Sequence, residues 1–169
     1  MYKNLGLSNT DIALYTSWLY LPWVIKPLWS PFVDLFRTKR FWIIVMQLAI
    51  GASFACVALT LPAADFVRYT LAILWIMAFS SATHDIAADG FYMLGLSPPE
   101  QASFVGVRTV FYRVATIASK GGLVVLAGTL QSHGYPVASA WSITFLVVGA
   151  FFLALCLYHF FILPYPLSD

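Results

Sequence analysis

Ionisable side chains inside apolar stretches are the residues of this sequence best placed to do chemistry. The chain of 169 residues has only nine Lys or Arg and seven Asp or Glu residues, yet five of the ionisable residues lie within long apolar runs: Lys26, Asp85, Asp89, Arg113 and Lys120. In a bilayer, a charge near the centre of a spanning helix costs about 2.5 to 3.5 kcal/mol on insertion scales. Each such residue therefore needs a partner, water or a shallow position, and function is the default hypothesis for all of them.

The composition favours a bilayer protein over a soluble domain. The chain is 61% hydrophobic and 9% charged, with a mean hydropathy of +0.83, whereas soluble domains are about half apolar and a quarter charged. The basic residues form no stripe typical of nucleic-acid binding. The sequence contains no nucleophile elbow, phosphate loop or metal-ligand spacing, so an enzyme, a cofactor and a metal site all lack support. We therefore expect an all-α membrane protein.

Five stretches are long and apolar enough to span a bilayer, and we expect them to form one partial transmembrane domain over residues 1–169. Their approximate limits are 12–32, 41–61, 69–94, 104–130 and 137–163. The basic cluster after the first span, Arg37, Lys39 and Arg40, predicts a cytoplasmic loop by the positive-inside rule. The N-terminus is then expected outside and residues 164–169 in the cytoplasm.

Helical spacing places four of the five intramembrane charges on two faces, because residues three or four apart lie on the same side of a helix. In the third span the polar face comprises Ser81, Asp85, Asp89 and Tyr92. In the fourth span it comprises Thr109, Arg113, Thr116 and Lys120. Opposite charges on adjacent antiparallel helices favour pairing across the two, so Asp85 or Asp89 is predicted to meet Arg113.

The sequence leaves two alternatives for these charges, a structural role and a role in transport. An Asp89–Arg113 pair holds the bundle together, works as a switch, or does both. Asp85 lies deeper, where desolvation favours the neutral carboxyl, so it is the better candidate for proton coupling. Lys120 binds an anionic group of a substrate, or it pairs with an acid on a helix outside this sequence.

Two further residues also allow two interpretations. Lys26 lies in a span with Pro22, Pro27 and Pro31, which predict a bent helix and a possible cavity. Its ammonium group either extends to the membrane surface, which is the favoured interpretation, or faces that cavity. His84 is about 100° around the helix from Asp85. It is a hydrogen-bonded structural residue more readily than a proton relay.

Three segments of the sequence resemble the AmpG-type muropeptide permeases of the major facilitator superfamily. Segment 82–90 is similar to that family's helix-four signature with two aspartates four residues apart, and segment 112–123 to its helix five with an arginine and paired glycines. His84 stands where the family tends to have glutamine, and Lys120 where it has a small residue. Segment 26–40 resembles the superfamily's cytoplasmic loop between helices two and three, with motif residues Ser30, Asp34, Arg37, Lys39 and Arg40.

The resemblance implies that the five spans correspond to helices two to six of a twelve-helix transporter, within its N-terminal half. The implied function is proton symport of anhydro-muropeptides, which are anionic products of peptidoglycan turnover, across the bacterial inner membrane. Protons, the bilayer and the remaining transporter helices are then its partners, and these residues alone are not expected to transport. A related branch carries acetyl-CoA, another anionic substrate. The alternative is a non-transporting membrane interaction or scaffold protein.

Overall fold

The computed structural model describes residues 1–165, and all of its regular elements are helical. Of the C-terminal stretch expected in the cytoplasm, residues 166–169 lie outside the described part. The helices are α1 Asn9–Leu19, α2 Leu21–Val24, α3 Ser30–Leu35, α4 Lys39–Thr60, α5 Phe66–Gly95, α6 Pro98–Ile117, α7 Leu123–Ser132 and α8 Val137–Ile162. Short 3-10 turns cover Tyr2–Leu5 and Lys26–Leu28, and a π turn over Ala118–Gly122 joins α6 to α7.

Four of the helical stretches are long and apolar enough to cross a membrane: Lys39–Thr60, Phe66–Gly95, Pro98–Ser132 and Val137–Ile162. These match the last four predicted spans, and the all-α membrane fold is confirmed. The count of five is wrong, because the first predicted span is not one helix. The single-domain organisation and the orientation of the termini stay predictions.

The first predicted span is a broken segment, residues 9–35, made of α1, α2, the second 3-10 turn and α3. Pro22, Pro27 and Pro31 each occupy the first or second position of a new helical piece. A proline lacks the backbone N–H and clashes with the preceding turn, so it starts a helix well and continues one badly. The predicted bend is therefore a series of breaks.

Polar caps set the starts of the helices that follow the loops. The Thr38 hydroxyl accepts a hydrogen bond from the backbone N–H of Phe41 at 3.1 Å and starts α4. Ser97 and Glu100 form a capping box at the start of α6. Each cap satisfies backbone donors that the first turn of a helix leaves unpaired.

Helix α4 lies at the centre of the bundle and packs along both α5 and α8. It approaches α8 closely at Gly51 and Gly149, where a Cβ on Gly149 would lie 3.1 Å from the Gly51 carbonyl oxygen. Two small buried clusters close the ends of the bundle. One comprises Leu61, Ala127 and Trp141, and the other comprises Val33, Ile43, Ile86 and Ala87.

Helix α6 is the most exposed of the spanning elements. None of its residues is buried within the described chain, whereas α7 packs on α8 through buried Ala127. Residues 98–132 nevertheless form one continuous helical stretch, in which the π turn contains Lys120, Gly121 and Gly122. π turns within α-helices occur frequently at functional sites.

The α4–α8 crossing gives a direct test of the packing. Gly149→Ala is expected to lower the free energy of unfolding by about 1 to 3 kcal/mol, because the added methyl group meets backbone that must move. Gly106→Ala is the matched control, since nothing lies within 4 Å of its added Cβ and alanine favours the helix by about 1 kcal/mol. Unfolding by SDS in mixed micelles measures both. Equal stability of the two variants would contradict the close crossing.

Candidate functional site

The α5 acidic pair, Asp85 and Asp89, is the centre of the candidate site. The two residues are four apart on α5, so their side chains lie on one side of the helix. They are about 15 Å and about 9 Å along the axis from the end of the helix at Gly95. By the positive-inside rule this end belongs to the cytoplasmic half of the bundle, which stays a prediction.

Asp85 forms an ion pair with Lys26 of the broken segment, Lys26 Nζ being bonded to Asp85 Oδ2. The two side chains are only 22% and 33% exposed, so the pair is partly shielded from its surroundings. The ammonium group also lies 5.0 Å from the ring centre of Trp23, and Trp29 Nε1 donates to Thr83 Oγ1 at 3.2 Å. Lys26 therefore does not simply extend to the membrane surface, because its charge ties the broken segment to α5.

Asp89 forms an ion pair with Arg108 of α6. The Arg108 guanidinium lies 5.6 Å from the ring centre of Tyr92, and the Tyr92 hydroxyl donates to the Gln101 carbonyl. These contacts join the start of α6 to the end of α5. The Asp89 and Arg108 side chains are 41% and 54% exposed, so this pair is more open than that of Asp85.

The predicted pairing of the acids with Arg113 is wrong, because each acid has a different partner. Arg113 is five residues beyond Arg108, which places it about 140° around α6 and about 7.5 Å further along the axis. The two arginines therefore cannot face Asp89 together. Arg113 and Lys120 are both exposed, and neither forms an ion pair within residues 1–165. Their expected roles in binding an anion stay predictions.

His84 is next to Asp85 in the sequence, and its side chain points about 100° away from Asp85 around α5. Its Nε2 is buried and has no hydrogen-bond partner among residues 1–165. On α4 and α8 nearby polar side chains do pair, with Gln47 Nε2 2.8 Å from His159 Nδ1. Nε2 therefore lacks the hydrogen bond that the structural interpretation expects, and the role of His84 stays a prediction.

Two clefts lie beside the Asp89–Arg108 pair, one lined by Asp89 and the other by Arg108. One, of about 490 Å³, lies between the broken segment and α5 and is lined by Lys26, Ser30, Asp34 and Asp89, among others. The other, of about 280 Å³, lies between α5 and α6 and includes Tyr92 and Arg108. The arrangement is one that can bind a polar solute or a proton, because carboxylates and cations border open space within a largely apolar bundle.

The predicted loop motif after the first span is held by contacts to three helices. Lys39 pairs with Asp34 at 2.8 Å, and its side chain crosses Gly90 of α5 so closely that a Cβ there would lie 2.8 Å from Lys39 Cε. Arg40 donates to the carbonyls of Phe160 and Leu163 at the end of α8. Arg37 precedes both residues and has a φ of 64°, which makes it the one non-glycine residue with positive φ in the described chain.

Sequence reasoning missed the tryptophans that position Lys26 and the role of Arg108 as the partner of Asp89. Trp23, Lys26 and Trp29 follow one another at steps of three, which was a usable signal for a shared face. The breaks at the prolines made that spacing hard to interpret as one helix. For Arg108 the signal was its position near the start of the fourth span, level with the end of the third.

A family model described as the BT1 family matches residues 1–163. The anhydromuropeptide permease of Escherichia coli (strain K12) is 28% identical over 108 residues, covering 61% of this chain and 22% of that protein. The probable folate-biopterin transporter 6 of Arabidopsis thaliana is 29% identical over 133 residues, covering 69% and 26%. An uncharacterized protein of Schizosaccharomyces pombe is 25% identical over 163 residues, covering 77% and 31%.

The chain therefore spans about a third or less of the length of these relatives. No solved structure matches it significantly. The sequence-based resemblance to muropeptide permeases is supported in part, since such a permease is among the relatives at 28% identity. The chain is as similar, at 29% identity, to a plant protein named as a probable folate-biopterin transporter. Similarity to named transporters and the four apolar helices are together consistent with an integral membrane protein.

The Lys26–Asp85 pair predicts a measurable coupling between the broken segment and α5. Lys26→Gln and Asp85→Asn are each expected to lower the free energy of unfolding by about 1 to 3 kcal/mol, because each leaves a partly buried polar group unpaired. The double variant should lose less than the sum, and a double-mutant cycle in mixed micelles measures the difference. Asp65→Asn, at an exposed position before α5, is the control and should be near neutral. Additive effects at 26 and 85 would mean that the two residues do not interact.

Proposed function

The chain belongs to the BT1 family, and on this premise we propose that it forms part of the solute pathway of a secondary transporter. The observation that carries the proposal is the α5 acidic pair, whose two carboxylates each meet a cation from a different neighbouring element. Intramembrane acids are costly, and functional transporters use them as ion and proton sites. Relatives that are named as a permease and as a transporter support the same class of activity.

Asp85 is the proposed proton-coupling residue. Its carboxylate is the less exposed of the two, and it neutralises Lys26. Protonation would remove the negative charge and leave the ammonium group of Lys26 without its partner. The tie between the broken segment and α5 would then loosen, which changes the cleft that both elements line. Proton uptake is thereby joined to a change in the shape of the pathway, as proton symport requires.

Asp89 and Arg108 are proposed to act as a second, more exposed ion pair, which joins α5 to α6. A solute carboxylate that approaches this cleft competes with Asp89 for Arg108 by charge. Arg113 and Lys120 add positive charge further along the same helical stretch, with Arg113 on a different side of α6 from Arg108. An organic anion is therefore the substrate class that this surface favours.

Anhydro-muropeptides are the proposed substrate, since they carry carboxylates and a relative is named as their permease. Their import would place the protein in the bacterial inner membrane, with the Arg37, Lys39 and Arg40 end in the cytoplasm. A folate or biopterin is the competing substrate, because the plant relative is named for these compounds. Both belong in the same assay.

The proton-coupling role predicts a separation of two transport modes. In proteoliposomes that contain the intact protein, Asp85→Asn is expected to lower uptake driven by a pH gradient at least about tenfold, which corresponds to about 1.4 kcal/mol. Exchange of labelled for unlabelled solute at equal pH should persist, because it needs no net proton movement. Labelled anhydro-muropeptide and labelled folate are measured in parallel to identify the substrate.

Asp65→Asn is the control for the same chemical change outside the proposed pathway, and it should leave both modes intact. If gradient-driven uptake by Asp85→Asn equals that of the unaltered protein, the coupling role of Asp85 is wrong. If the intact protein moves neither solute in either mode, the result would favour a non-transporting scaffold.

A further inference from the structure

A cleft of about 730 Å³ opens beside the start of α4, away from the α5 acidic pair. Its walls come from the end of α3, the loop after it, the first turns of α4 and the end of α8. It shares Asp34 with the cleft between the broken segment and α5, but neither residue of the α5 acidic pair lines it. The proposed transport cycle assigns nothing to it. Its two ends differ in chemistry: one carries charged groups and the other is apolar.

The charged end of the cleft is positive. Arg37 and Arg40 both line it, and the one acid that also lines it, Asp34, already pairs with Lys39 at 2.8 Å. Arg40 is engaged by carbonyls at the end of α8 and lies 4.0 Å from the ring centre of Tyr165. Arg37 is exposed, and its guanidinium lies 5.6 Å from the ring centre of Phe41. An anion at this end would therefore meet the guanidinium of Arg37 first.

The other end of the cleft is a hydrocarbon wall. Phe41, Ile44 and Val45 of α4 form it with Phe160 of α8. Ile44 lies about 7.5 Å along the axis from the start of α4, and α4 is one of the helices that can cross a membrane. The wall thus runs from the positive end of the cleft toward the depth of the acyl chains.

The backbone of Arg37 is a second observation at the same place. Its φ of 64° lies in the left-handed region, which glycine adopts without cost and a residue with a Cβ does not. A glycine would adopt this turn with less strain, so the arginine lowers the stability of the turn. A function of its positive charge would explain why an arginine occupies this position.

We propose that this cleft binds one anionic phospholipid, with the phosphate on Arg37 and an acyl chain along Ile44, Val45 and Phe160. Charge complementarity selects the headgroup, since basic pockets between helices at the cytoplasmic surface bind anionic lipids. The apolar wall requires an amphiphile, which a free phosphate ion is not. A lipid held here bridges α4 and α8 at the end of the bundle where Arg40 already joins them.

The test compares binding of phosphatidylglycerol and phosphatidylcholine to the intact protein by native mass spectrometry from detergent. The unaltered protein is expected to bind phosphatidylglycerol at least about fivefold more tightly, and Arg37→Gln should remove that preference. Arg68→Gln makes the same charge change at an exposed position at the opposite end of the bundle, and it should bind like the unaltered protein.

Arg37→Gly separates binding from folding. It relieves the positive φ, so its melting temperature without added lipid should equal or exceed that of the unaltered protein, while the phosphatidylglycerol preference is lost. Val45→Trp fills the apolar wall without changing charge and should weaken binding of phosphatidylglycerol as well.

Three results would each overturn the proposal. The first is a phosphatidylglycerol preference that survives both Arg37 variants. The second is an equal loss in Arg68→Gln, which would mean that overall charge decides binding. The third is displacement of the lipid by millimolar inorganic phosphate alone together with normal binding by Val45→Trp, which would mean an ion site without an acyl-chain contact.

Discussion

Charge compensation inside an apolar bundle is the constraint on which the arrangement of the helices depends. Asp85 and Asp89 share one side of α5, but their partners come from opposite directions in the chain, Lys26 before it and Arg108 after it. The broken segment also packs on α5 through buried Val33, whereas α6 has no buried residue within the described chain. The Asp89–Arg108 ion pair is therefore a main contact between α5 and α6, while the Lys26–Asp85 pair adds to the packing of the broken segment on α5.

The basic cluster after α3 shows the same constraint at the end of the bundle. Lys39 and Arg40 begin α4, and their side chains reach α5 and the end of α8, the two helices along which α4 packs. A cation near the C-terminus of a helix also meets the negative end of the helix dipole. Residues that a topology rule treats as a surface signal are thus part of the packing of the central helix.

The sequence predicted the long helices well and the broken segment poorly. Hydropathy alone located α4, α5 and α8 to within a few residues, because a bilayer demands long apolar helices. The prolines indicated a bend. Hydropathy depends on residue type and not on whether the backbone can form helical hydrogen bonds, so it predicted a single span over 12–32. Capping residues such as Thr38 and Ser97 were recognisable as turn chemistry. The α4–α8 crossing at Gly51 had a signal in its small residues, whereas its partner Gly149 had none.

For the candidate site, the acids could be found from spacing and their partners could not. A helical wheel places Asp85 and Asp89 on one side, but it does not say which level of the next helix lies opposite them. Arg108 and Arg113 were both available on α6, and only the relative depth of the two helices decides between them. The pairing of Lys26 with Asp85 could not be predicted, because it depends on how three helical fragments fold back on α5, and the local sequence does not contain that information.

The π turn at Ala118–Gly122 has a geometric consequence for the whole of the fourth span. In an uninterrupted α-helix, Ala127 would lie about 40° around the axis from Arg113, on nearly the same side. One additional residue in the turn rotates everything after it by about 100°, which moves Ala127 to about 140° from Arg113. The inserted residue thus changes which side of the helix the following residues occupy. Its second half can bury Ala127 against α8 while its first half turns Arg113 outward, so one continuous helix serves both the bundle and the surface opposite it.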